Sequence, residues 1–133
     1  MRQKFITLAG KDVTVTFEPS DYPIKTKEAC RSNLQFNCGE VLKEFFPQTL
    51  ILEDFPTPEG FYLDFFLPSR KRAFEIQGEQ HYKYNSFFYK NEKEFKNAKE
   101  RDSRKREWCR KNSIELIVVD TPEELREKLQ NEE

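Results

Sequence analysis

The stretch Phe61-Tyr-Leu-Asp-Phe-Phe-Leu-Pro-Ser-Arg-Lys-Arg-Ala-Phe-Glu-Ile-Gln77 decides the architecture. Residues 62–67 are aromatic and aliphatic enough for a strand, residues 68–71 form a turn, and residues 73–77 read as a second strand stopped by Gly78. A further strand over Leu50 to Leu52 completes a three-strand meander. Side chains alternate along a strand, so Ala73, Glu75 and Gln77 share one face while Phe74 and Ile76 take the other. Asp64 lies amid Phe61, Tyr62, Leu63, Phe65, Phe66 and Leu67 and is drawn inward with them. An ionised carboxylate there needs a cation or strong donors. Strands joined by a tight turn are neighbours, so Asp64 and Glu75 converge if they share a face. Two convergent carboxylates repel each other unless a divalent cation sits between them.

Working outward, Asn37-Cys-Gly-Glu40 has the capping-box form and is expected to open a short helix over residues 41–46, ended by Pro47. Residues 90–112 carry a helical pattern. Counted at 100° per residue from Phe95, the side chains Ala98, Asp102, Lys105 and Cys109 fall on one inward stripe. Inward charge asks for a partner, and the plainest one is Asp102 with Lys105 at i, i+3. Residues 114–119 are a nearly continuous β-branched run of the kind buried on both faces. Thr121-Pro-Glu-Glu124 then caps a terminal helix. Residues 4–8 and 12–17 alternate across Ala9-Gly10-Lys11 as a hairpin.

The expected class is therefore α/β. A single domain, 1–133, has an N-terminal hairpin and linker over 1–30, a core over 37–120 ordered helix, three-strand meander, helix, strand, helix with a mixed sheet, and a C-terminal helix over 121–133. The chain of 133 residues holds 34 Phe, Leu, Ile and Val, enough for one core and too little for two. No apolar run approaches the roughly 20 residues a bilayer-crossing helix needs, and the start of the chain falls short of a secretory apolar region. Cys30, Cys38 and Cys109 cannot all pair and read as reduced thiols of a cytoplasmic protein. A zinc site of these three with His81 is conceivable, although no close ligand pairs exist.

The net charge of −1 hides a segregation. Residues 90–111 hold ten basic and five acidic residues, Arg70, Lys71 and Arg72 add three more cations, and residues 115–133 hold seven acids against two bases. One side could face a polyanion. On charge alone, a merely solvated helix face is the simpler account of residues 90–111.

The combined string Asp64…Glu75-Ile-Gln-Gly-Glu-Gln-His81-Tyr…Asp102-Ser-Arg-Lys105 resembles the PD-(D/E)XK nuclease superfamily. Within it, the chain is most similar to the branch of very-short-patch repair endonucleases and phage homing endonucleases of the EDxHD kind. The resemblance covers residues 37–120. It implies a restriction-endonuclease-like core and a Mg²⁺-dependent (or Mn²⁺-dependent) endonuclease acting on DNA in the cytoplasm of a bacterial or phage-infected cell. It makes Glu40 the helix-borne acid, Asp64 the principal metal ligand, Glu75 the second carboxylate, His81 the proton-transfer group and Asp102 its acidic partner. The superfamily's usual lysine is Gln77 here. An amide can orient water or phosphate but cannot act as a base, which shifts proton transfer onto His81. By the helical count Glu40 points away from its apolar neighbours, so it either reaches the site from the first turn or only caps the helix.

On this reading Lys105, Arg70, Lys71 and Arg72 neutralise phosphates, and Tyr82, Tyr84, Phe87, Phe88 and Tyr89 either stack on bases or pack the fold. No reader of base sequence is recognisable, so a homodimer or a partner supplying DNA specificity is allowed. The competing classes are an inactive nucleic-acid-binding domain and a protein-interaction domain on the same fold.

Overall fold

A computed structural model describes residues 1–77 and 92–132. Its elements are β1 (Arg2–Ile6), β2 (Asp12–Thr16), α1 (Asn33–Phe45), β3 (Leu52–Pro56), β4 (Tyr62–Leu67), β5 (Arg72–Ile76), α2 (Glu92–Lys111), β6 (Glu115–Val119) and α3 (Pro122–Gln130). β1 and β2 form the expected antiparallel hairpin. The other four strands form one mixed sheet in the order β3-β4-β5-β6, antiparallel except for the parallel β5–β6 pair. Among the described residues the protein is thus α/β, with a four-strand mixed sheet, a separate hairpin and three α-helices.

The sheet is covered on both faces. Cys38, Val41 and Leu42 of α1 and Leu125 and Leu129 of α3 pack on Phe65, Leu67 and Phe74. On the other face Trp108 and Cys109 of α2, with Phe5 and Phe17 from the hairpin region, pack on Leu52, Phe55, Leu63, Phe66 and Ala73. Leu63, Phe65, Phe66 and Leu67 are at most 1% exposed, which explains why β4 is apolar on both faces apart from Asp64 instead of alternating. Cys38 and Cys109 therefore lie on opposite faces of the sheet, and the three cysteines cannot share a zinc ion.

Three local expectations are corrected. First, α1 starts at Asn33, with Ser32 as its cap accepting a hydrogen bond from the Gln35 N–H at 3.1 Å, so Asn37 sits inside the helix and the core begins before residue 37. The pattern Ser32-x-x-Gln35 offered a cap upstream of the one read from Asn37. Second, the first sheet strand is β3 at 52–56, not 50–52, and so includes Glu53 and Asp54. Third, β6 lies at the end of the sheet order and is mostly half-buried instead of buried on both faces. The cap at Thr121 is as expected: its side chain accepts from the Glu124 N–H at 3.1 Å, with Pro122 in the first turn.

The middle of β3 and β4 departs from regular geometry. Leu52 and Phe55 face the same core although they stand three positions apart, and so do Leu63 and Phe66. Alternation therefore slips within both strands. Glu53 pairs with Phe65 and Phe55 with Leu63, which sets Asp54 across from Asp64 at the slip. Asp54 adopts a left-handed conformation (φ 53°), which aspartate tolerates better than most residues. The phase change brings polar side chains to positions that strict alternation would have assigned otherwise.

Candidate active site

Asp64 and Glu75 meet where β4 and β5 run on past their last paired residues, Phe65 and Phe74. Each carboxylate there takes over a backbone partner on the other strand. The Asp64 N–H donates to Glu75 Oε2 at 2.7 Å, and the Ile76 N–H donates to Asp64 Oδ2 at 2.9 Å. The expected convergence of the two acids on one side of the sheet is found. Glu75 turns toward α2, as Ala73 does, while Phe74 and Ile76 face α1 and α3.

Two cations close the pair. The Lys105 ammonium of α2 bonds Glu75 Oε1, with side chains only 16% and 7% exposed. Lys105 also lies 5.7 Å from the centre of the Phe61 ring. Arg31, just before α1, reaches Asp64 Oδ1 at 3.2 Å, Asp54 Oδ1 at 2.9 Å and Gln35 Oε1 at 2.8 Å. Burial and the adjacent Asp64 charge push the Glu75 carboxyl up to about 7, against the pull of Lys105. Burial likewise raises Asp64, opposed by the Ile76 N–H, Lys105 and Arg31.

The acids open onto a cleft of about 450 Å³ whose walls include Arg31, Ser32, Gln35, Gln77, Asp102 and Lys105. Asp102 and Lys105 are half-buried between the exposed Arg101, Ser103, Arg104 and Arg106, so the inward stripe of α2 is as the periodicity predicts. Gln77 is buried at the end of β5, where its backbone N–H donates to the Val119 carbonyl at 3.0 Å. Behind Asp54, Gln35 Nε2 donates to Glu53 Oε2 at 2.9 Å, and the Lys25 N–H donates to Glu53 Oε1 at 2.9 Å. Glu53 is 2% exposed and fastens the chain leading into α1.

Several expected participants stand elsewhere. Glu40 is exposed on α1 and pairs with Lys43 at 3.2 Å. It follows the cleft-facing Gln35 by five positions, roughly 140° around the helix, which turns it away from the acids. Arg70, Lys71 and Arg72 sit at the opposite end of β4 and β5. The Arg70 guanidinium lies 5.5 Å from the centre of the Phe46 ring, and Arg72 pairs with Glu115 at 3.0 Å and Glu132 at 2.7 Å. These three residues form no common patch with Lys105, whose ammonium is engaged by Glu75. His81 and the aromatic stretch from Tyr82 to Tyr89 lie outside the described residues, so the expected Asp102–His81 pairing does too. Sequence reasoning missed Arg31, Gln35 and Asp54. The available signal was an acid placed between Leu52 and Phe55, and a helix cap at Ser32 directly after an arginine.

Among the described residues no group of three or more acidic, cysteine or histidine side chains forms a metal cage. The donor set nonetheless fits Mg²⁺, which is held through one or two carboxylates with water and phosphate completing the shell. Two hard carboxylates, held against mutual repulsion on a cleft wall, are such a set.

No family model matches the chain, and no solved structure does. It is similar to three viral proteins, all described as uncharacterized. The chain is 34% identical to protein 094L of Frog virus 3 over 96 residues, 71% of this chain and 61% of that protein. It is 33% identical to protein 033L of Invertebrate iridescent virus 3 over 92 residues (61% and 47%), and 40% identical to protein 307L of Invertebrate iridescent virus 6 over 57 residues (43% and 29%). The matches thus span between about a third and three fifths of these relatives' length. Among the described residues no helix is long and apolar enough to cross a membrane.

Proposed function

We propose that the chain is a Mg²⁺-dependent endonuclease that hydrolyses DNA phosphodiester bonds on a restriction-endonuclease-like core of the PD-(D/E)XK type. The observation that carries this reading is the convergence of Asp64 and Glu75, tied through each other's backbone and lining a cleft with Lys105 and Arg31. Asp64 and Glu75 would hold the ion, which supplies phosphate polarisation and a lowered pKa of the attacking water. Lys105 compensates Glu75 and sets its carboxylate facing the cleft. Arg31, 61% exposed at its side chain, is placed to exchange Asp64 for a phosphate oxygen. Gln77 would orient water or phosphate, and His81 with Asp102 would move the proton.

One observation favours a second reading, an inactive nucleic-acid-binding or protein-interaction domain. Arg31, the Ile76 N–H, Lys105 and the Asp64 N–H already engage both oxygens of each acid. A structural charge cluster would look the same.

The deciding experiment incubates the protein and its Asp64→Asn variant with supercoiled, linear and single-stranded DNA in Mg²⁺, Mn²⁺ or EDTA. Mg²⁺-dependent cleavage lost in the variant is expected. Cleavage by neither protein, together with a melting temperature that Mg²⁺ does not raise, selects the second reading.

A further inference from the structure

Beside the two acids the cleft continues as a second hollow of about 480 Å³, between the β3–β4 turn and α2. It shares Arg31, Asp64 and Lys105 with the first and adds Phe61, Tyr62 and Arg101. Tyr62 is out of keeping with its strand. It is 58% exposed, whereas Leu63, Phe65, Phe66 and Leu67 are at most 1% exposed. Packing does not require an aromatic ring there.

The turn that precedes Tyr62 is closed by hydrogen bonds and one ring contact. The Thr57 N–H and hydroxyl both donate to the Phe61 carbonyl, at 2.9 and 2.8 Å, and the Gly60 N–H donates to the Thr57 carbonyl at 3.1 Å. Gly60 needs its positive φ of 90° for this turn. Phe61 is pinned edge-on to Trp108 of α2, with ring centres 5.7 Å apart at 85°. Arg101, which lines the same hollow, is exposed and stands one helical turn before Lys105, about 6 Å along α2. A hollow lined by a largely exposed tyrosine and two arginines, and opening onto paired acids, suits a flat aromatic body joined to an anion.

We infer that Tyr62 and Arg101 form a subsite for an unstacked nucleotide of a single-stranded or locally melted nucleic acid, next to the part of the cleft where Asp64 and Glu75 would hold the metal ion. Tyr62 stacks on the base and Arg101 pairs with the adjoining phosphate. A base inside a duplex has both faces covered by its neighbours and offers Tyr62 nothing. The subsite therefore selects strands whose bases are already free. It rests on the nuclease reading of the adjoining acids, whose substrate class it narrows.

Binding of a fluorescein-labelled ten-nucleotide thymidine strand, and of a ten-base-pair duplex, is measured by anisotropy in EDTA, where no metal-dependent cleavage occurs. Tighter binding of the single strand is expected. Tyr62→Ala should weaken it about 5- to 150-fold, the usual range for loss of one stacked base, and leave duplex binding within about 2-fold. Tyr62→Phe should retain the single-strand affinity, and Arg101→Gln should lower it with a shallower salt dependence. Equal effects on strand and duplex, an unchanged Tyr62→Ala affinity, or no binding at all would overturn the subsite. Tyr62-dependent binding without cleavage in Mg²⁺ would retain the subsite and remove the nuclease reading. Asp64-dependent cleavage indifferent to Tyr62→Ala would do the reverse.

Discussion

Asp64 and Glu75 stand in for the ladder that should join their strands: the Asp64 N–H donates to the Glu75 carboxylate at 2.7 Å, and the Asp64 carboxylate accepts from the Ile76 N–H at 2.9 Å. Both side chains are thus structural acceptors as well as charges. Any substitution at the site perturbs the fold and the chemistry together, and the informative variants separate the two.

Asp64→Asn keeps an oxygen for the Ile76 N–H, whereas Asp64→Ala leaves that half-buried donor without a protein partner. The alanine variant should be the less stable of the two by about 1–3 kcal/mol, read from urea unfolding. Both should lose Mg²⁺-dependent cleavage. Equal stability would mean that water replaces the lost acceptor.

Glu75 is displaced upward, from the ordinary 4.5 to about 7, chiefly by burial and then by Asp64. Between these values the unfolded chain releases a proton that the folded chain keeps, so stability falls as pH rises through this window and levels off above it. The size is of the order of 3 kcal/mol at about 1.4 kcal/mol per pH unit. Glu75→Gln should remove this slope and be the more stable protein at pH 8. Urea midpoints from pH 4 to 8 test this, and parallel curves for both proteins would contradict the shift.

Lys105 is the countercharge of Glu75. Lys105→Met leaves Glu75 without its cation beside Asp64, and should cost about 1–2 kcal/mol more at pH 8 than at pH 5, because a carboxyl that titrates at about 7 escapes ionisation at about 1.4 kcal/mol per pH unit. Adding Glu75→Gln should recover most of the loss. A double-mutant cycle at the two pH values measures the coupling, and additive effects would show that the pair is not a unit.

Ser32 caps α1 and precedes Gln35, which holds Glu53 and meets Arg31. Ser32→Ala should destabilise the chain by about 1 kcal/mol, while Ser32→Asp restores the cap. Thermal unfolding of the two variants distinguishes this cap from one at Asn37, whose replacement by alanine should cost little.

Much of the architecture could be read along the chain because its causes are local. The meander, the Thr121 cap, the hairpin across Gly10 and the inward stripe of α2 follow from spacing and turn chemistry within a few residues. Asp64 and Glu75 were legible for the same reason, as acids misplaced in apolar strands joined by a short turn. The nuclease reading itself rests on the resemblance of a motif together with the convergence of these two acids.

Residue spacing by itself thus determined which side chains are candidates and on which elements they ride. Only the tertiary structure decided whom they meet. The slip in alternation at Asp54 and Asp64 depends on two strands changing phase together, Lys105 chose Glu75 across thirty residues of chain, and Arg31 joined two acids on different strands. Glu40 was lost to the site by a helix that starts earlier than its nearest capping pattern suggests. Periodicity reports which face a residue takes on its own element. Partners are set by how elements dock, where burial leaves each charge to find the nearest opposite one.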